Sequence, residues 1–273
     1  MPELPEVEQV RVTLIPHIAG KIVKKVRIIR DDVIKHPSAE EFSNIIIGQT
    51  IKDIERKGKY IIIDFMTNIK LVIHLRMTGA LMALADEEVE PKYASVCIEL
   101  TGGVNLWYTD IRRFGTMHLI VNDDIKIPGL ENLGPEPFSK ELTGEYLYEC
   151  CKRRKIAIKG VILEQNIIAG LGNIYADESL AKAGILPQRK ANTLSLRESR
   201  ALVESINVVI KQGILNHGTT FRDYKDGNGD KGTNQYHLQV YGRSGQECKI
   251  CKAILLKDKV AGRSTTYCPN CQR

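Results

Sequence analysis

From Val7 the apolar residues fall at positions 7, 10, 14 and 18, the spacing of one helical face, and Gly20 follows as a stop. Pro5, Glu6 and Glu8 suit the first turn of that helix. A proline N–H is not missed there, and carboxylates face the positive end of the helix dipole. Pro2 and Glu3 precede the helix, and no helix rule calls for them. Short β-branched runs come next, at residues 21–29, 45–54, 59–65, 70–75, 95–100 and 103–108, separated by turn-prone pieces such as "TN" and "TGG". They predict an antiparallel sandwich or barrel after one helix. "LGPEPF" (133–138) breaks all patterning and reads as a hinge.

After Glu141 the period becomes helical. Residues 144–165 predict one helix. Residues 173–184 predict a second, ending at Gly184 with Pro187 beyond, and residues 195–218 a long third, capped by Ser195. From Gln239 the chain returns to short strands around cysteines. The expected class is α+β: a β-sandwich with an N-terminal helix (1–132), a hinge (133–140), a helical domain (141–238) and a cysteine-rich tail (239–273). No repeat or low-complexity segment interrupts this plan.

Composition changes the picture in two ways. The net charge of +6 is uneven: residues 1–140 carry 18 Lys+Arg and 20 Asp+Glu, and the remainder 21 and 13. A basic second half suggests a polyanionic partner. No apolar run is long enough for a membrane span, and the acidic first residues do not form a signal peptide, so the expectation is a cytoplasmic protein. In a reducing compartment, seven cysteines argue for metal binding or free thiols rather than disulfides.

The strongest chemical signal is Cys248-x2-Cys251 followed by Cys268-x2-Cys271. Two such knuckles at this separation match a four-thiolate zinc ribbon holding one structural Zn2+. A redox pair would need only one CxxC. Cys97, Cys150 and Cys151 lack metal spacing and read as core or free thiols. In "AGLGNIYADESL", glycines lead into a helix start at Asn173, an arrangement that can cradle phosphate but often marks only a tight turn. Lys59 in "KGKYIII", after Arg56 and Lys57, reads by itself as a solvated hairpin end. Arg112 and Phe114 in "YTDIRRFGTMHL" combine charge with an aromatic wedge of the kind inserted into a base stack, although a surface turn would look similar. Met77 in "HLRMTG" reads by itself as a gap-filling core residue.

Taken together, "PELPEVE", "RKGKY", "HLRMTG", "DIRRFGT", "LGPEP", "AGLGNIYADESL", "GILP", "LQVYGR" and "VAGRSTTYCPNCQR" resemble, in order and over nearly the whole chain, the bacterial formamidopyrimidine-DNA glycosylase family. The resemblance implies a β-sandwich, a helix–two-turns–helix domain and a zinc finger. It implies a monomer acting on duplex DNA that contains 8-oxoguanine or a ring-opened purine. It accounts for the first residues: Met1 is removed, and Pro2 becomes a secondary-amine nucleophile beside the acid–base residue Glu3, with Glu6 orienting the site. By the same resemblance Lys59 assists catalysis, Arg263 binds the phosphates flanking the lesion and aids catalysis by helping to expel the second of them, Asn173 holds a phosphate, and Met77, Arg112 and Phe114 fill the void left by an extruded nucleotide. The resemblance further implies that residues 217–232 form a glycine-containing lid over the base. Two positions depart from the family pattern. Tyr93 stands where a DNA-contacting histidine is common, and Arg154 where a lysine is common. The alternatives are an enzyme resembling endonuclease VIII, which prefers oxidised pyrimidines, and a non-catalytic zinc-dependent DNA-binding protein.

Overall fold

The computed structural model describes residues 1–122 and 124–273. They group into two units, one of residues 1–131 with 216–235 and one of residues 132–215 with 236–273.

The first unit opens with α1 (Leu4–Ile18). Glu3 is its N-cap, and Glu3 and Glu6 close a capping box in which the Glu3 N–H donates to Glu6 Oε2 at 2.9 Å. Gly20, at φ 77°, turns the chain away as expected. Strands β1 (Val23–Ile28) and β2 (Ile34–His36) lead to α2 (Ala39–Ile46). Then come β3 (Ile51–Lys57), β4 (Tyr60–Phe65), β5 (Lys70–His74), β6 (Gly79–Ala85), β7 (Ala94–Leu100), β8 (Val104–Asp110) and β9 (Thr116–Ile120). The short α3 (Pro128–Glu131) closes the segment. One sheet has the order β1-β7-β8-β6, the other β2-β9-β5-β4-β3. The pairs are antiparallel except β2 with β9, which run parallel. Between the sheets lies a core that takes in the buried face of α1, with Val7, Val10, Leu14 and Ile18 all inaccessible to solvent. Each such side chain contributes about 1.5–3 kcal/mol on burial.

One predicted strand is corrected. Residues 45–54 do not form a single strand, because Ile45 and Ile46 end α2 and β3 starts only at Ile51. The local cause is a capping box at Ser38 and Glu41, which commits the preceding residues to a helix.

The second unit holds α4 (Gly144–Cys151), α5 (Ile158–Leu163), α6 (Asn173–Ala183) and α7 (Leu196–Leu215), then the hairpin of β10 (Leu256–Val260) and β11 (Arg263–Tyr267). The single helix expected over 144–165 is two. Between them Ala157 pairs with Lys190 in an isolated bridge, and the Ile158 and Ala191 N–H groups bond to Arg189 and Ile156 carbonyls. Those bonds take the chain out of helical geometry. α6 ends at Gly184, φ 70°, as its sequence predicts. Ser195 accepts from the Glu198 N–H, and the Glu198 carboxylate returns to the Ser195 N–H.

Residues 216–235, read from sequence as part of the helical domain, group with the first unit because they bond to α1. Thr219 N–H donates to Glu6 Oε1 at 2.6 Å, the Tyr224 hydroxyl to the Glu6 carbonyl, and Gly227 N–H to Thr13 Oγ1. Asp226, buried, accepts from the Asn228 and Asp230 N–H groups. The segment expected as a lid is thus anchored along most of its length, with Phe221, Arg222 and Asp223 exposed at its tip.

Candidate active site and DNA-binding surface

In the first unit, Pro2 and Glu3 are both buried at the start of α1. The same helix carries Glu6 to the 216–235 segment and Glu8 to the β3–β4 hairpin. Glu8 takes an ion pair from Arg56 at 2.9 Å and another from Arg11 at 2.6 Å. Burial works to raise the Glu8 carboxyl, but the two guanidinium groups prevail and hold it below its usual range. Arg56 also donates to the Gly58 carbonyl, fixing the two-residue turn of Gly58 and Lys59. Lys59 is 5% exposed, so it is not the solvated hairpin end that its sequence context also allowed.

His74, at the end of β5, was not singled out by the sequence. It is buried, with its ring edge-on to Tyr60 at 4.6 Å. Burial, then the charges of Arg76 and Lys59, push its pKa down to about 3. The ring is therefore neutral, and because Nδ1 accepts the Arg76 N–H, the proton sits on Nε2. This has a measurable consequence. Below the unfolded histidine value of about 6.5 the unfolded chain takes up a proton that the folded one refuses. Stability of the first unit should fall by about 1.4 kcal/mol per pH unit from this group as pH drops from about 6.5 towards 3. Denaturant titrations of His74→Gln should show a flatter profile over that interval; an unaltered slope would remove His74 as the cause.

The three residues expected to act as wedges lie on two loops. Met77 precedes β6 and is partly exposed; Arg112 and Phe114 follow β8, with the Arg112 guanidinium 4.7 Å from the centre of the exposed Phe114 ring. Met77 is not the core residue its sequence alone suggested. Tyr93, at φ 61° and exposed, sits in the turn before β7, where its carbonyl accepts the Asp110 N–H.

In the second unit, Asn173 is the first residue of α6, and its Nδ2 donates to the Ser264 carbonyl at 2.9 Å. Arg263, exposed, adjoins Ser264 after the turn of Ala261 and Gly262. The fold thus brings Asn173 and Arg263, 90 positions apart in sequence, to one place. Beneath them is a buried ion pair that the sequence did not reveal. Lys159 Nζ lies 2.7 Å from Asp177 Oδ1 and donates to Thr265 Oγ1 and the Ser264 carbonyl, while Asp177 Oδ2 accepts the Thr266 N–H. Arg154 donates to the Cys150 carbonyl and pairs loosely with Glu164 at 3.6 Å, so part of its charge is used within the fold.

The four tail cysteines converge, their sulfurs all within 4.8 Å of one another. Sulfur separations are 3.9 Å for Cys248–Cys271 and 3.4 Å for Cys251–Cys268. Zn–S bonds of about 2.3 Å in a tetrahedron require edges of about 3.8 Å, so the set fits one zinc. Four protein ligands leave no open position, so the zinc is structural. The apolar cluster around it is small, and metal ligation supplies what that core lacks. Cys97, Cys150 and Cys151 are free, and burial pushes Cys151 up to about 12.

Comparison with known proteins places three segments of the chain in known domain families. Residues 1–117 match the formamidopyrimidine-DNA glycosylase N-terminal domain, 133–225 the formamidopyrimidine-DNA glycosylase H2TH domain, and 245–273 the zinc finger found in FPG and IleRS. The formamidopyrimidine-DNA glycosylase of Geobacillus kaustophilus is 43% identical over 276 residues, covering both chains completely. That of Desulforamulus reducens is 42% identical over 275 residues, covering 100% of this chain and 99% of its own. Lactococcus lactis Fpg in complex with abasic-site DNA superimposes with a TM-score of 0.92 at 34% identity over 99% of each chain. The same enzyme with Fapy-dG DNA gives 0.91 at 34% identity, over 99% of this chain and 100% of the other.

Proposed function

The chain belongs to the formamidopyrimidine-DNA glycosylase family, and on that premise we infer how its own residues carry out base excision. It is a DNA repair glycosylase for oxidised purines, with one structural zinc and duplex DNA as its partner. The free thiols and the DNA substrate fit a cytoplasmic setting, and one lesion asks for only one chain.

The assignment of Pro2 as nucleophile rests on one observation above others: Pro2 and Glu3 are buried together at the capped start of α1. Removal of Met1 turns the Pro2 nitrogen into a secondary amine. An α-amino group has a pKa of about 8, so a useful fraction is unprotonated near neutral pH. That nitrogen attacks the sugar C1′, and the C1′–base bond breaks with its electron pair leaving on the base, which gains a proton. The sugar ring opens at its C1′–O bond, giving an iminium that draws electrons from C2′. Loss of a C2′ proton expels the 3′ phosphate, loss of the C4′ proton expels the 5′ phosphate, and water releases the enzyme. Glu3, beside the nucleophile, exchanges protons with sugar and base. Lys59 supplies a positive charge at the substrate, and the Nε2–H of neutral His74 supplies a donor for phosphate. Asn173, Arg263, Arg154 and Tyr93 bind backbone phosphates. Met77, Arg112 and Phe114 occupy the place vacated by the extruded nucleotide.

Borohydride trapping on a duplex carrying one 8-oxoguanine opposite cytosine tests this reading. The expected result is a covalent adduct mapped by mass to Pro2. An adduct on a lysine would displace Pro2 as nucleophile, and no adduct with the correctly processed chain would contradict a covalent mechanism on this substrate.

A phosphate role for Arg263 carries its own expectation. Arg263→Ala should weaken binding to an abasic-site analogue and reduce the slope of log K against log salt by about 0.9, one phosphate contact. A slope equal to that of the parent chain would take Arg263 off the phosphates.

A further inference from the structure

The last register pair of the β6–β8 ladder is Gly79 with Asp110. The loop that enters β6, with Met77, and the loop that leaves β8, with Arg112 and Phe114, therefore emerge side by side. Asp110 is 3% exposed and bonds to both. Its Oδ1 accepts the Thr78 hydroxyl at 2.5 Å and the Arg112 N–H at 3.1 Å. Its Oδ2 accepts the Gly115 N–H at 2.8 Å and the Tyr108 hydroxyl at 3.4 Å. The Arg112 N–H also reaches Thr78 Oγ1, at 3.1 Å.

Each loop places an arginine in the left-handed region just before its wedge residue: Arg76, φ 54°, before Met77, and Arg113, φ 58°, before Phe114. Such backbone is strained for a side-chain-bearing residue and persists only where neighbouring bonds hold it. The two glycines beside Asp110 are needed as well. A Cβ at Gly115 would run into the Tyr108 hydroxyl, and one at Gly79 into the Leu75 carbonyl and the same hydroxyl.

We propose that Asp110 is a positioning residue that locks the two wedge loops to each other, so that Met77, Arg112 and Phe114 enter the base stack as one preformed unit. The proposal rests on the assignment of those three residues as void fillers. Asp110 itself does not reach the substrate: its oxygens are committed to four donors. Thr78 is the link between the loops, because its hydroxyl is the only bond from the Met77 loop to that carboxylate among the described residues.

The test uses the full zinc-loaded chain and an 8-oxoguanine duplex with 2-aminopurine beside the lesion as a reporter of unstacking. Asp110→Asn turns one acceptor into a donor that faces other donors. Thr78→Val keeps the shape and removes only the link between loops. With melting temperature and zinc content monitored, the early fluorescence step should slow about tenfold in Asp110→Asn and about threefold in Thr78→Val. The deficit should shrink when the lesion faces an abasic analogue, where no base pair has to be broken. A merely structural role would give the same deficit on both duplexes, and that result overturns the proposal. Phe114→Ala separates the two layers of the argument. If it leaves the fluorescence step at the parent rate, the wedge assignment falls and the proposal with it. If Phe114→Ala is slow while Asp110→Asn and Thr78→Val are not, the proposal alone falls. Should Asp110→Asn fail to fold, Thr78→Val decides on the same readout.

Discussion

Glu3→Gln should lower base excision by about 10²–10⁴-fold, the range for loss of a general acid–base group, while binding to an abasic-site analogue stays within about twofold. The separation follows from what Glu3 does in the fold. Its backbone N–H donates to Glu6, which the substitution leaves in place. An amide oxygen still serves as the N-cap acceptor, so the helix start is kept, at a cost within about 1 kcal/mol. What is lost is a carboxyl able to give and take a proton next to Pro2. Single-turnover excision on an 8-oxoguanine duplex, with thermal melting and abasic-analogue binding in parallel, checks this. Equal losses in excision and binding would make Glu3 a binding residue, and undiminished excision would leave the proton transfers to another group.

The second large effect concerns stability. Lys159→Ala should destabilise the second unit by about 3–5 kcal/mol, because it leaves the Asp177 carboxylate buried without its partner. Both side chains are 0% exposed. Burial already holds Asp177 at about 6, above its usual range, against the pull of Lys159 and the Thr266 N–H. Removing Lys159 drives that carboxyl higher still. The double variant Lys159→Met with Asp177→Leu should recover most of the loss, since well-packed apolar side chains remove the desolvation problem at both ends. DNA binding should not recover with it. Lys159 also holds Ser264 and Thr265, the backbone on which Arg263 and the acceptor of Asn173 sit. Denaturant unfolding of both variants with binding measured on each decides the matter. A cost under about 1 kcal/mol for Lys159→Ala would mean that the pair is not what holds β11 in place.

Local interactions made much of the molecule legible in advance. The two CxxC knuckles specify their zinc because each places two ligands within one tight turn. The start of α1, the glycine end of α6 and the Ser195 cap depend on residues three or four apart, which the chain brings together wherever it folds. Failures of the reading were local as well. The run at 45–54 looked like a strand because isoleucines dominate it, yet a serine and a glutamate upstream had already set a helix. Residues 144–165 looked like one helix because the pattern does not show that Ala157 will pair with Lys190.

By itself, then, the sequence determined the first helix, most of the strands it shows as β-branched runs, the metal ligands and the family's motifs in order. It could not determine partners far apart along the chain. Glu6 meets Thr219 across 213 positions, Lys159 meets Thr265 across 106, and Thr78 meets Asp110 across 32. The burial of Lys59 and His74, and with it the neutrality of that histidine, belongs to the same class. Each depends on which surfaces the packed sheets and helices cover, and desolvation by packing, not residue type, sets what such a group can do. Tertiary structure alone decided that residues 217–232 are tied to α1 and that the loops carrying Met77 and Phe114 share the Asp110 carboxylate.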